Sequence, residues 1–193
     1  FCLFYSLNLA LGLVGFMGVD SFKTSLDLRV AAESKELLGA DLALRARRPF
    51  TPEELSSARQ VLPIESQELK AVDFFSMAAG PTGRSRLIKI VAIDPGFPYY
   101  GSFTTKLSGK ITGKDENILH EHQTVWLYPE LRSQLELDLG DELKIGETSF
   151  RVTDFILDES GLSFQPAELA PKAFISTKFL DKTKLLTTGN TAF

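Results

Sequence analysis

The hydrophobic and polar positions divide the chain into an uncharged first stretch, an amphipathic continuation and a mixed remainder. Residues 1–19 carry no charge, and the first charged residue is Asp20. A helix of this length spans about 28 Å at ~1.5 Å per residue, close to the ~30 Å hydrocarbon core of a bilayer. The stretch 1–19 is therefore predicted to be a transmembrane helix. A secretory signal peptide, a lipoprotein signal and a buried soluble helix are the alternative interpretations.

Residues 20–38 are predicted to continue this helix beyond the membrane as a stalk. Charged residues separate apolar positions that recur near helical spacing, namely Phe22, Leu26, Val30 and Leu37. Gly39 stands where a glycine typically ends a helix. Such a stalk either transmits movement or serves as a spacer.

Beyond Gly39 the pattern alternates between strands, turns and short helices. Alternation predicts a strand at 41–47, and Thr51-Pro52-Glu53-Glu54 has the sequence of a helix-capping box. Two apolar runs, at about 68–79 and 84–94, flank the turn Gly80-Pro81-Thr82-Gly83 and predict a hairpin. The resulting β-α-β-β order is half of a ferredoxin-like unit.

The second half of the chain predicts further short elements, so the fold class is α+β. Region 109–121 is polar and rich in turn residues. The expected elements after it are a strand at 124–128, a helix from Pro129 to about Leu139, a hairpin of 141–145 with 149–157, a strand at 172–176 and a helical turn at 177–182.

Composition excludes several classes of protein. Among the 193 residues, 21 are Lys or Arg and 25 are Asp or Glu, which gives a net charge of -4 and argues against nucleic acid as a partner. The single cysteine, Cys2, excludes intrachain disulfides and metal sites with several cysteines. Because the chain begins with Phe inside an apolar run, we expect it to be a fragment of a longer protein.

The residues that carry chemistry elsewhere form no recognisable catalytic set here. His120 and His122 flank Glu121, and a solvated loop is favoured there over a metal site, since the pair lacks a separate anchoring ligand. The chain contains neither Gly-x-Ser-x-Gly nor a phosphate-binding loop of the P-loop type. We therefore predict no catalytic, cofactor-binding or metal-binding residues.

Two groups of residues are candidates for contact with a cargo or a partner. The first group consists of four arginines, which would bind lipid headgroups or a partner protein; an ordinary solvated sheet face is the alternative. The aromatic residues Phe97, Tyr99 and Tyr100 lie close to Pro95 and Pro98 and would line an apolar groove or form a structural plug. The candidate surface consists of Arg45, Arg47, Arg84, Arg86, Phe97, Tyr99 and Tyr100.

Several segments, in order along the chain, resemble the FtsX-like permeases of ABC transporters. Asn8-Leu9-Ala10-Leu11-Gly12 and Asp20-Ser21-Phe22-Lys23 resemble their first transmembrane helix. Segments similar to their MacB-like periplasmic core domain are Leu38-Gly39-Ala40-Asp41-Leu42, Arg47-Arg48-Pro49, Phe74-Phe75-Ser76-Met77, Pro95-Gly96-Phe97-Pro98-Tyr99-Tyr100-Gly101 and Leu139-Gly140-Asp141.

The resemblance implies a transmembrane helix (1–19), a helical stalk (20–38), a porter-like α/β part (39–115), an inserted β-rich subdomain (116–165) and an incomplete return to the porter-like part (166–193). It also implies a non-catalytic permease subunit of a bacterial cytoplasmic membrane, with residues after about 20 on the periplasmic side. A separate cytoplasmic ATPase would hydrolyse ATP, and a lipid, another hydrophobic compound or a periplasmic partner would be handled outside.

A different class of protein also fits the pattern. A sensor or receptor with a membrane anchor would present an extracytoplasmic ligand-binding domain on a similar stalk. It would continue into a second membrane helix and a cytosolic signalling module. A membrane-anchored hydrolase is a third interpretation, and the missing nucleophile set counts against it.

Overall fold

A long helix, α1 (Cys2–Leu38), begins the chain in the computed structural model, which describes residues 2–38, 40–46, 48, 50–63, 65–115, 118–159 and 170–185. The predicted continuation of the first helix through residues 20–38 is thus confirmed. The expected membrane span over residues 1–19 is not confirmed, because no helix in the described part of the chain is both long and apolar enough to cross a bilayer.

The segment after α1 is extended and leads into a second helix, α2 (Pro52–Val61). The strand predicted at 41–47 is wrong over its described residues 41–46, which belong to no strand. Its alternating leucines, Leu42 and Leu44, remain 58% and 54% exposed, so no sheet covers them. The capping box is confirmed, because Glu54 N–H donates to Thr51 Oγ1 at 3.3 Å and Thr51 N–H donates to Glu54 Oε2 at 2.9 Å.

In the described part of the chain, eight strands and further short helices follow α2 and form the body of the protein. The strands are β1 (Ala71–Ala79), β2 (Ser85–Ile93), β3 (Phe103–Thr105), β4 (Gly109–Ile111), β5 (Thr124–Leu127), β6 (Glu142–Ile145), β7 (Thr148–Glu159) and β8 (Lys172–Ser176). The helices are α3 (Ile118–Glu121), α4 (Pro129–Leu135) and two 3-10 turns, Thr177–Phe179 and Asp181–Thr183. The fold class is α+β, as predicted.

Six of these strands close into a ring. The neighbours run β7-β5-β8-β2-β1-β6, and β6 also pairs with β7. The pairs β1–β2, β5–β8, β6–β7 and β1–β6 are antiparallel, whereas β2–β8 and β5–β7 are parallel. The pairing of β1 with β6 is short, with Ala78 opposite Ile145 and Ala79 opposite Lys144. Closure leaves each of the six strands with a neighbour on both sides.

The inside of the ring is filled with apolar side chains. Alternate positions of β1 and β2, such as Phe74, Ile88 and Ile90, point inward, as period-2 geometry requires. Leu131 and Leu135 of α4 join this cluster, and Phe179 and Leu180 of the 3-10 turns do so as well. The ring is therefore a packed core rather than a ligand cavity.

A second apolar cluster covers the outside of the ring beside β5 and β8. The Phe103 ring of β3 lies 6.0 Å from the Trp126 ring and 5.2 Å from the Phe174 ring, both edge to face. Leu119 of α3 and Ile111 of β4 pack into the same cluster. The β3–β4 hairpin and α3 thus form a layer on the sheet, joined to it through the pairing of β3 with β7.

The predicted hairpins and the last strand are confirmed. β1 and β2 turn at residues 80–83, β6 and β7 turn at 146–147, and β8 and the following turns fall at the predicted positions. Strands from the proposed porter-like and inserted parts share one sheet, since β1 pairs with β6 and β8 with β5. The assignment of these parts as domains stays a prediction.

Candidate functional surface

The aromatic loop, residues 94–101, follows β2 and is held tightly against the turn at 112–115. A side chain at Gly113 would collide with the carbonyl oxygens of Gly96 and Pro98, so the two segments approach within backbone contact. Gly96 itself has a φ of 94°, in the left-handed region that favours glycine. The loop is therefore built as a fixed structure.

The three aromatic candidates have different environments. Phe97 is half-buried, packs against the outer cluster, and its ring lies 6.5 Å from that of Phe103. The Tyr100 hydroxyl donates to Asp41 Oδ2 at 2.9 Å. Tyr99 is exposed and touches the Tyr100 ring edge to face at 4.9 Å. Tyr99 is thus the most exposed of the three aromatic residues.

The described basic candidates lie on the β1–β2 hairpin or, in the case of Arg45, against it. Arg45 Nη2 lies 3.5 Å from Asp73 Oδ2, and Lys89 Nζ lies 2.9 Å from the same oxygen. Arg84 follows the turn and pairs with Glu136 at 3.0 Å. Arg45 and Arg84 each lie beside a carboxylate, so the positive charge of the basic group is partly neutralised.

Arg86 and Arg47 are the other two basic candidates. Arg86 is exposed and stands opposite Ala78. Because side chains alternate along a strand, Arg86 and Lys89 project from opposite faces of β2. Arg47 lies outside the described residues. The structure thus brings Arg45 and Lys89 together at Asp73, while Arg84 and Arg86 lie nearer the turn of the hairpin.

An exposed apolar group lies on the same sheet face as Asp73 and Lys89. Met77 is paired with Leu87, and Phe75 is paired with Lys89. Phe75, Met77 and Leu87 are 46%, 53% and 47% exposed. Sequence reasoning did not single them out, because an alternating strand gives no sign of which of its faces stays uncovered. The signal available was that β1 has apolar residues at consecutive positions.

His120 differs from the solvated histidine that the sequence predicts. Its Nδ1 lies 3.0 Å from Ser176 Oγ, and its Nε2 is buried without a hydrogen-bond partner among the described residues. Burial lowers the pKa of His120, and the carboxylate of Asp94 opposes this effect in part. His122 is exposed, as expected for a loop position. Within the described ranges, no group of three or more ligating side chains is placed to hold a metal ion.

Ser176, His120 and Asp94 together have the residue types of a nucleophilic triad, but their geometry does not suit that chemistry. Ser176 is 0% exposed, and its Oγ accepts the Lys178 N–H at 3.3 Å. The Asp94 carboxylate accepts the Thr177 hydroxyl and, at 2.9 Å, the Lys70 N–H. The cluster instead joins the ends of β2 and β8 to α3.

Comparisons with known proteins give one relative and several structural likenesses. The chain is 25% identical over 185 residues to the uncharacterized ABC transporter permease YbbP of Escherichia coli strain K12. The match covers 95% of this chain and 21% of that protein, so the chain spans about a fifth of its relative's length. No family model matches the chain.

Solved structures with some likeness come from extracytoplasmic regions of transporters. The extracellular domain of the noncanonic ABC-type transporter YknZ from Gram-positive bacteria gives a TM-score of 0.45 at 14% identity, covering 70% of this chain and 66% of that one. The periplasmic region of MacB from Actinobacillus actinomycetemcomitans gives a TM-score of 0.42 at 15% identity, covering 72% of this chain and 61% of that one. The similarity to the permease YbbP extends over nearly the whole chain, and the resemblance to ABC transporter permeases that its motifs indicate is thereby confirmed.

Proposed function

We propose that this chain is an extracytoplasmic coupling part of a permease subunit in an ABC transport system. In this proposal, ATP-driven motion is coupled to the export or extraction of a lipid or another hydrophobic cargo. The observation that carries the proposal is the match to an ABC transporter permease over 95% of the chain. The long helix α1, which precedes the body in the chain, supports it as a route for movement.

The proposal places ATP hydrolysis in a separate cytoplasmic ATPase subunit. The buried Ser176 and the engaged Asp94 support a chain that does no hydrolysis itself, since a nucleophile needs access to its substrate. The proposed location is a bacterial cytoplasmic membrane, with the body on the periplasmic side. The similarity to a permease supports this location.

The surface proposed to meet the cargo or a periplasmic partner has a basic and an apolar component. Arg45, Arg84 and Arg86 would contact anionic groups, since their side chains are exposed. Phe75, Met77 and Leu87 add an uncovered apolar group that would contact a hydrophobic cargo. The remaining members of the proposed surface are Arg47, Phe97, Tyr99 and Tyr100.

Co-purification tests the transport function directly. The full-length protein is extracted from native membranes in detergent, and proteins that elute with it are identified by mass spectrometry. A stoichiometric ABC ATPase is the expected result. An unrelated membrane protein with the same tag serves as the control. If the protein elutes alone, or carries a signalling module on its own chain, the sensor interpretation replaces the proposal.

Lipid analysis of the same preparation tests the cargo surface. Leu87→Ser places a hydroxyl within the exposed apolar group and is expected to reduce the amount of co-eluting lipid. Leu107→Ser is the matched control, because Leu107 is also exposed and lies on the separate β3–β4 turn. Equal lipid recovery from both variants would remove the apolar group from the proposed surface.

A further inference from the structure

The segment that joins α1 to the body, residues 40–46, is here named the strap. It begins directly after Gly39 and ends before α2 and its cap. The strap belongs to no strand or helix, so no ladder of backbone hydrogen bonds holds it on the sheet. Side-chain contacts attach it to the body instead.

Among the contacts between described residues, two polar ones attach the strap to the body. Near its start, Asp41 accepts a hydrogen bond from the Tyr100 hydroxyl at 2.9 Å. Near its end, Arg45 pairs with Asp73 at 3.5 Å. The residues between them, Leu42 and Leu44, are more than half exposed and bury little apolar surface. The attachment is therefore polar, and a polar contact at a surface can be exchanged for contacts with water.

The body side of both contacts is rigid. Asp73 lies within β1 and also pairs with Lys89, whose side chain is only 9% exposed. Tyr100 belongs to the aromatic loop, which lies against the backbone of Gly113. Two fixed points on the body thus meet a segment that belongs to no helix or strand.

We propose that the strap is a releasable latch, with Tyr100 and Asp73 as the positioning residues that hold it. When both contacts are made, α1 has one orientation relative to the body. When they are released, α1 reorients while the body keeps its fold. The role of this latch in coupling ATP-driven motion to the cargo rests on the proposed transport function, whereas the latch itself does not.

Distances between spin labels test the latch. Labels are attached at Lys23→Cys on α1 and Glu142→Cys on β6 of the full-length protein, after Cys2→Ser and replacement of any other native cysteine; both labelled positions are exposed. Double electron–electron resonance then gives the distribution of distances. The parent is expected to show one narrow distribution, and Tyr100→Phe combined with Arg45→Gln is expected to broaden it.

The variants are chosen so that the body itself is not disturbed. Tyr100→Phe removes only the hydroxyl, and Arg45→Gln leaves Asp73 in place to neutralise the nearly buried Lys89. The matched control combines Tyr99→Phe with Arg86→Gln, the same two chemical changes at exposed positions outside the strap and its two contacts, and should keep the parent distribution. A broad distribution in the parent, or an unchanged distribution in the double variant, would overturn the latch.

The failure of the latch and the failure of the transport function are distinguishable. If the double variant broadens the distance distribution but no ATPase co-purifies with the protein, the latch is supported and its role in coupling is not. A protein that brings its ATPase while the double variant keeps the parent distribution retains the transport function without the latch.

Discussion

The carboxylate of Asp154, on β7, holds the turn between β3 and β4. It is 1% exposed and accepts hydrogen bonds from the backbone N–H groups of Leu107 at 3.0 Å and Ser108 at 3.1 Å, and from the Ser108 hydroxyl at 3.0 Å. Burial alone would raise its pKa, but hydrogen bonds from the Leu107 N–H, the Thr105 hydroxyl and the Ser108 and Phe155 N–H groups outweigh burial, and the pKa lies below its ordinary value. The ionised form is thus the one the fold requires.

Asp154→Asn is expected to lower the free energy of unfolding by about 3 kcal/mol, because a buried amide nitrogen then faces backbone donors. The control is Asp158→Asn, an exposed carboxylate on the same strand, for which about 0.5 kcal/mol or less is expected. Urea unfolding at neutral pH measures both. Equal effects at the two positions would contradict the role assigned to Asp154.

The lowered pKa of Asp154 also gives a pH dependence. Because the folded state holds the carboxylate in its ionised form more strongly than the unfolded chain does, its stabilisation is present above the unfolded pKa and is lost as pH falls below about 4. Asp154→Asn should therefore flatten the decline of stability in this acid range. An unchanged slope in that variant would assign the acid sensitivity to other carboxylates.

His120 is also expected to make the protein less stable as pH falls, but in a higher pH range than Asp154. Burial lowers its pKa in the folded state, so the unfolded chain binds the proton more readily and stability declines as pH falls below about 6.5. His120→Asn should reduce the loss between pH 7.5 and pH 5.5, measured by urea unfolding. His122→Asn, at the exposed neighbour, should retain the parent's loss, and a reversed pattern would refute the assignment.

At the scale of one element, α2 is stabilised chiefly by polar contacts of its own residues and their neighbours. None of its residues is buried, and its first turn is closed by the capping box. The Arg48 guanidinium hydrogen-bonds both carboxylate oxygens of Glu54, at 2.8 and 2.6 Å, and lowers the pKa of Glu54 to about 2. The helix is thus expected to form and melt independently of the sheet.

Thr51→Ala is expected to weaken α2 by about 1 kcal/mol, because it removes the cap acceptor for the Glu54 N–H. Thr51→Ser keeps the hydroxyl and is the control. Amide exchange of residues 52–61 should increase in the alanine variant, while the midpoint of global unfolding stays unchanged. A matching fall in the global midpoint would show instead that α2 is integral to the body.

The sequence predicted those elements whose signals are local. The hairpins β1–β2 and β6–β7 combine alternation with turn residues, and the capping box needs only four neighbouring positions. The strands β3 and β4 and the helix α3 have three or four residues each and depend on packing with distant residues such as Trp126 and Phe174. The strand expected at 41–47 shows that a local signal alone is not sufficient: the alternation is present, but the described residues 41–46 pair with no strand.

The candidate surface was predictable in part for the same reason. Basic and aromatic residues stand out along a sequence, so Arg45 and Tyr100 were among the candidates. Their acidic partners, Asp73 and Asp41, carried no sign of a role because each pairing joins positions 28 or 59 residues apart along the chain. Contacts across such separations are a property of the fold and are visible only in three dimensions.

At the scale of the whole molecule, closure of the ring makes distant parts of the chain depend on one another. Ala78 of the first hairpin pairs with Ile145 of β6, and β8 lies between β2 and β5. The inward side chains of all six strands contribute to one apolar cluster. Loss of packing at any point of this cluster should therefore weaken the entire ring, because no strand within it can separate without exposing the shared core.

Ile145→Ala tests this dependence at the strand that closes the ring. Ile145 is fully buried, and truncation to alanine is expected to cost about 2–5 kcal/mol through lost burial and the cavity left behind. Leu157→Ala, at an exposed position of β7, should cost about 0.5 kcal/mol or less. Urea unfolding of the body, followed both by Trp126 fluorescence and by far-ultraviolet circular dichroism, should show one transition that shifts equally for both probes in Ile145→Ala. Two separate transitions would instead support the porter-like and inserted parts as units that fold independently, since a shift in one part would then leave the other unchanged.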